Sequence, residues 1–160
     1  MKTAKDLYYT LAPSPIGELT VIASDTSIYA VLFSYDKKIG QRNDDHPLLK
    51  RAKQQLKEYF DGERKDFDLP LSPEGTAFQK LAWGALLRIP FGKTISYQEQ
   101  AIKLGDIKKA RAVGTANSQN PIAIIVPCHR VVAKSGKLSG YAGGIHVKSF
   151  LLEHERKFLK

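Results

Sequence analysis

The chain has 160 residues, enough for one substantial core or two small lobes, and its 42% apolar and 26% charged residues are ordinary for a globular protein. No apolar run approaches the roughly 18 residues needed to cross a bilayer, and no apolar segment follows the start Met1–Asp6, so neither a membrane span nor a signal peptide is expected. The single cysteine excludes an internal disulfide, argues against a thiolate-rich zinc site and suits a reducing cytosol.

The formal charge of +9 is unevenly held. Residues 100–160 carry 11 Lys/Arg against 3 Asp/Glu, whereas residues 1–99 carry 14 against 13. A solvated surface and a polyanion partner both fit such an excess.

Three apolar segments open the chain: 7–11, 19–23 and 28–33, separated by turns at 12–17 and 24–27. They predict a small antiparallel meander. Lys37–Asp45 is polar and reads as a loop. Over 46–60 the apolar positions 48, 49, 52, 56, 59 and 60 have helical spacing, with Asp45 as N-cap and Gly62 beyond the end. His46, beside a proline, reads as a cap or surface residue. A connector at 66–74 then leads to an amphipathic helix over 76–87, in which Trp83 belongs to the core or a lobe interface.

Ser96 with Glu99 three residues later forms a capping-box pattern for a helix to about Leu104. Gly105 closes it, Asp106 caps a second helix to about Ser118, and the pair has the spacing of a helix-turn-helix. Small residues at 110, 112 and 113–116 let this second helix approach another surface closely, either a neighbouring helix or a nucleic-acid groove. Lys108, Lys109 and Arg111 favour the groove.

The run Ile122, Ile124, Ile125, Val126 has the composition of a buried strand, broken at Pro127 just before Cys128, His129 and Arg130. A proline followed by a turn is a natural way to place a thiol at a helix N-terminus, where the nucleophilic thiolate is favoured. A glycine-rich loop follows at 135–144. A last helix over 146–158 places Val147, Phe150, Leu151, His154 and Phe158 on one side, with Glu155 near that face.

Val126-Pro127-Cys128-His129-Arg130-Val131 resembles the active-site signature of the O6-alkylguanine-DNA alkyltransferases, or methylated-DNA–protein-cysteine methyltransferases. Pro90-Phe91-Gly92 with Ser96-Tyr97, the Ala110–Gly114 stretch, Asn117 with Asn120-Pro121, and Gly140-Tyr141-Ala142-Gly143-Gly144 occur in that family's order and spacing. The resemblance covers roughly residues 74–155. It implies an RNase H-like α/β lobe over 1–70 and a mostly helical, winged-helix-like lobe with the helix-turn-helix over 74–160.

The activity implied is DNA repair by a single irreversible transfer of an alkyl group from O6 of guanine to Cys128. O4 of thymine is a second candidate position. The catalytic set implied is Cys128, His129, Glu155, Asn120 and Tyr97. His129 acts as base through a water, Glu155 orients it, Asn120 ties down the turn, and Tyr97 serves the departing base. An at least partly ionised Cys128 thiolate is expected.

Arg111, Ala112, Val113, Gly114, Thr115, Tyr97 and Arg130 are implied as DNA contacts, with Arg111 filling the stack vacated by a flipped nucleotide. Tyr141, Ala142, Gly143 and Val131 are implied to wall the base pocket. Some members carry a serine where Ala142 stands, which here leaves that contact near O6 to backbone N–H groups. The partner is duplex DNA carrying O6-alkylguanine; no membrane, cofactor or metal is expected, and the protein is expected to be a cytoplasmic monomer. Two alternatives are a non-catalytic binder of alkylated DNA, which Cys128 opposes, and an unrelated thiol hydrolase, which the charge asymmetry and helix pair oppose.

Overall fold

The computed structural model describes residues 6–33, 39–138 and 140–159. Two compact units divide the chain. One comprises the described residues up to Glu74 together with Pro121–Ile125, and the other Gly75–Asn120 with Val126 onward. The segment 121–125, expected in the second lobe, therefore belongs to the first.

In the first unit, β1 (Tyr8–Ala12), β2 (Leu19–Ala23) and β3 (Ile28–Leu32) form the antiparallel meander, with Thr10 opposite Val21 and Val21 opposite Val31. A fourth strand, β4 (Gln41–Arg42), lies parallel to β1 and gives the order β3-β2-β1-β4. It replaces part of the expected loop. Both its residues are exposed and polar, so it carries no apolar alternation by which a strand could be recognised. Helix α1 (Pro47–Phe60) packs on β1 and β2 through Leu48, Leu49, Ala52, Gln55, Leu56 and Tyr59. Its N-cap is His46 rather than Asp45: Nδ1 of His46 accepts from the Leu48 N–H at 3.3 Å, ahead of Pro47 at the first helical position.

The apolar run before Cys128 is buried but is not a strand. Ile122 makes one parallel bridge to Val31, through Val31 N–H to Pro121 O (2.9 Å) and Ala123 N–H to Val31 O (3.2 Å). The backbone then turns, with Ile124 at φ 71°. A left-handed conformation costs a residue with a Cβ about 1–2 kcal/mol, and such strain persists where the surroundings over-determine it. Here it lies four residues before the thiol.

In the second unit, α2 (Ala77–Leu86) starts at a Thr76–Gln79 capping box and α3 (Tyr97–Lys103) at the Ser96–Glu99 box. Gly105 at φ 100° allows the turn, Asp106 caps a 3-10 turn over Ile107–Lys109, and α4 (Ala110–Ser118) follows. Buried polar bonds hold these three helices together. Trp83 Nε1 donates to Ala116 O at 2.8 Å, and Gln100 and Asn117 exchange side-chain bonds of 3.1 and 2.7 Å. Two short strands, β5 (Ile95–Ser96) and β6 (Val131–Val132), pair in parallel.

Helix α5 (Ile145–Lys157) buries Val147, Lys148, Leu151, His154 and Glu155. The expected face is thus rotated: Phe150 is exposed, and two charged residues seven apart occupy the interior.

Candidate active site and nucleic-acid interface

Cys128 opens a single 3-10 turn, Cys128–Arg130, so no helix dipole supports its ionisation. Asn120 anchors this turn, donating from Nδ2 to Val126 O at 2.8 Å and to Cys128 Sγ at 3.3 Å. Burial pushes the Cys128 thiol up, against the opposing effects of the Asn120 hydrogen bond and the Lys148 ammonium. Burial thus favours the neutral thiol, and Cys128 needs a base when it reacts.

His129 is fully buried. Its Nε2 lies 2.7 Å from Glu155 Oε2, while its Nδ1 has no hydrogen-bond partner among the described residues. Burial holds His129 below the ordinary imidazole value and outweighs the raising effect of Glu155. Burial alone would raise the Glu155 carboxyl, but the bonds and charge of His129 and Arg130 hold it well below the usual carboxylate range. An ionised carboxylate only accepts, so His129 carries its proton on Nε2 and its lone pair on Nδ1.

Arg130, expected on the DNA surface, is buried instead. Its Nε and Nη2 donate to Glu155 Oε1 and Oε2 at 2.8 and 3.0 Å, and Nη1 donates to Ile89 O at 2.6 Å. With its donors so committed it offers no fork to a phosphate.

Lys148 was not singled out from sequence, yet it is 1% exposed. Its Nζ donates to Val131 O at 2.7 Å and lies 5.9 Å from the centre of the Tyr97 ring. Burial lowers its affinity for a proton, opposed by the charge at Cys128. The available signal was its spacing of seven residues from Glu155 on one helix face. Val131, expected to wall a pocket, has a fully buried side chain and brings its carbonyl to the site. Tyr141 and Gly143 are partly exposed and Ala142 is exposed, in the loop leading into α5.

On α4 the expected DNA contacts separate by helical phase. Arg111, Ala112 and Thr115 are exposed and Gly114 is half-buried beside Tyr97, whereas Val113 is wholly buried. Val113 therefore packs the core and offers no DNA contact. Tyr97, Arg111, Gly114, Thr115 and Gly140 line one concavity of about 480 Å³. On its other flank, Arg111 and Thr115 join Phe78 and Lys108 around a second concavity. Lys109 Nζ sits 5.6 Å from the centre of the Phe78 ring. An exposed helix face bearing Lys108 and Arg111 between two concavities is suited to a polyanionic groove. Among the described residues, no helix is long and apolar enough to cross a membrane.

Comparison with known proteins bears on both units. A family model described as 6-O-methylguanine DNA methyltransferase, ribonuclease-like domain, matches residues 7–73, and one for the DNA binding domain of the same enzyme matches residues 77–157. The methylated-DNA–protein-cysteine methyltransferase of Methanosarcina acetivorans is 46% identical over 153 residues, covering 93% of this chain and 98% of that protein. The constitutive enzyme of that name from Bacillus subtilis is 48% identical over 157 residues, covering 93% and 95%. The crystal structure of Mycobacterium tuberculosis OGT in complex with DNA superposes with a TM-score of 0.88 at 44% identity, covering 94% of each chain. The chain belongs to the 6-O-methylguanine DNA methyltransferase family.

Proposed function

We infer that this protein repairs DNA by transferring an alkyl group from O6 of guanine directly and irreversibly to Cys128. The observation that carries the reading is the arrangement at the chain's one cysteine: Sγ held by Asn120, followed at the next residue by His129, which is buried in a pair with Glu155 of α5.

The reaction balances without a cofactor. Sulfur attacks the alkyl carbon, the carbon–O6 bond breaks, and the thiol proton is passed to His129 Nδ1 through a bridging water. As charge develops on the departing guanine, Tyr97 donates a hydrogen bond to it, and the proton taken up by His129 passes through the water to the base, leaving each group neutral. The products are guanine and an S-alkyl cysteine. A neutral thioether gives up its thiolate only with difficulty, so the new S–C bond persists and each molecule acts once.

Duplex DNA is held on the exposed face of α4, and the target nucleotide is flipped out at a cost of a few kcal/mol. Arg111, beside the Tyr97 concavity, takes its place in the stack. Tyr141, Ala142 and Gly143 border the base, with backbone N–H groups near O6. The protein acts as a monomer in the cytoplasm, where a reducing environment keeps Cys128 a thiol. Cys128→Ser tests this assignment. The variant is expected to bind a duplex containing O6-methylguanine with unchanged affinity and to acquire no methyl group; methyl transfer by the variant would refute the assignment.

A further inference from the structure

Arg130 is a buried cation that the transfer steps above do not use. Its three donating nitrogens reach two targets, Glu155 and the carbonyl of Ile89, and its guanidinium carbon lies 5.8 Å from the centre of the Phe91 ring. Glu155 Oε1 also accepts from the Gly92 N–H at 3.1 Å. The Ile89–Gly92 turn thus closes on the ion pair through a carbonyl, a ring and an amide. Gly92 fits there because its φ is 80°, a left-handed backbone conformation that strains a residue with a Cβ. His129 Nε2 adds a further hydrogen bond to the same carboxylate, whose two oxygens are both engaged.

We propose that Arg130 is a positioning residue for alkyl transfer: a fixed countercharge, locked between Glu155 and the Ile89–Gly92 turn, that leaves His129 a neutral imidazole with Nδ1 free to take the thiol proton. The inference rests on the alkyl-transfer reading. A lone buried carboxylate 2.7 Å from His129 would draw the ring to an imidazolium, and an imidazolium cannot accept a proton. Arg130 cancels that charge while leaving the carboxylate as the acceptor that fixes the Nε2–H tautomer. The charges acting on His129 are Glu155 and Lys148 from α5 and Arg130 from its own turn; Cys128 adjoins it. Lys148 has the same sign as Arg130 and donates to Val131 O, whereas Arg130 is the cation paired with Glu155. As a bare source of stability such a buried pair is poorly suited, because an apolar replacement often serves as well.

The test is the pH profile of single-turnover methyl transfer for the wild type, Arg130→Lys and Arg130→Met. Arg130→Lys keeps the charge and is expected to lose rate while its acid limb stays where the wild type has it. Arg130→Met is expected to move that limb up by about one pH unit or more, so that its deficit is about tenfold larger on the acid side than on the alkaline side. Equal slowing of both variants at every pH, with no displaced limb, would overturn the proposal and leave a structural role. If Arg130→Met does not fold, ¹⁵N NMR of His129 in the wild type and Arg130→Lys decides. An unprotonated Nδ1 at neutral pH in both supports the proposal, and an imidazolium or Nδ1–H tautomer in the wild type overturns it. Failure of the underlying reading is distinct: the wild type itself would then gain no methyl group.

Discussion

Asn120 and Cys128 are joined through one amide, whose Nδ2 reaches the sulfur at 3.3 Å and the Val126 carbonyl at 2.8 Å. The same group that shapes the turn therefore lowers the cost of ionising the thiol. Asn120→Ala is expected to destabilise the protein by about 0.5–1.5 kcal/mol, because the Val126 carbonyl loses its side-chain partner and keeps the Cys128 N–H at 2.9 Å. It should also slow transfer near neutral pH and recover part of the rate in alkali, since burial then acts on Cys128 with less opposition. Denaturant melts and single-turnover rates across pH check both effects. A uniform rate loss without alkaline recovery contradicts the electrostatic part.

Glu155→Gln removes the countercharge of Arg130 and leaves one acceptor oxygen where His129, Arg130 and Gly92 donate to two. Breaking a buried pair on one side typically costs about 3–5 kcal/mol, and loss of oriented base catalysis costs about 10²-fold or more in rate. Chemical denaturation and methyl-transfer kinetics should show both losses. A variant with wild-type rates would remove Glu155 from the mechanism.

Stability should fall on the acid side in two stages. His129 is held neutral below 6.5, its unfolded value, so between the two values the unfolded chain binds the extra proton and stability drops as pH is lowered. The Glu155 contribution is fully present above 4.5 and is lost only as pH falls through its much lower folded value. Thermal melts from about pH 8 down to about pH 4 should therefore weaken first below about 6.5, and His129→Gln should flatten that first stage. Parallel curves for the two proteins would contradict the assignment to His129.

Arg111 is exposed and lines a concavity with Tyr97. Arg111→Ala should slow transfer from a duplex far more than it weakens binding, and reduce the salt dependence of binding by about one charge. Transfer from a free O6-alkylguanine base, which needs no flipping, should be unchanged. Equal losses on duplex and free base would place Arg111 in the chemistry instead.

Local signals were the most legible in the chain. The Ser96–Glu99 box, Gly105 and Asp106 mark α3 and the start of the next helix because each acts within one turn. The Ile122–Val126 run shows the opposite limit. Its burial follows from composition, but a single bridge to Val31 and a left-handed Ile124 depend on tertiary packing that periodicity cannot report.

The same limit applies at the site. A lysine and a glutamate on a terminal helix ordinarily face water, so the interior position of Lys148 and Glu155 was hidden until partners for their charges came into view. Arg130, one residue from His129, was read as a DNA contact because sequence gives its charge but not the Glu155 and Ile89 acceptors that hold it inside. Val113 shares a buried face with Ala116 and Asn117 while Arg111, Ala112 and Thr115 are exposed, and one step of helical phase decides that it packs the core.

The central claim is that Cys128 is the once-used acceptor. Incubating the protein with a molar excess of duplex containing O6-methylguanine, then measuring intact mass and mapping the modified peptide, tests it directly. The account predicts one added methyl group per molecule, located on Cys128, with repaired guanine equal in amount to protein and no further conversion. Guanine released in excess of protein, or a methyl group on any other residue, would contradict it.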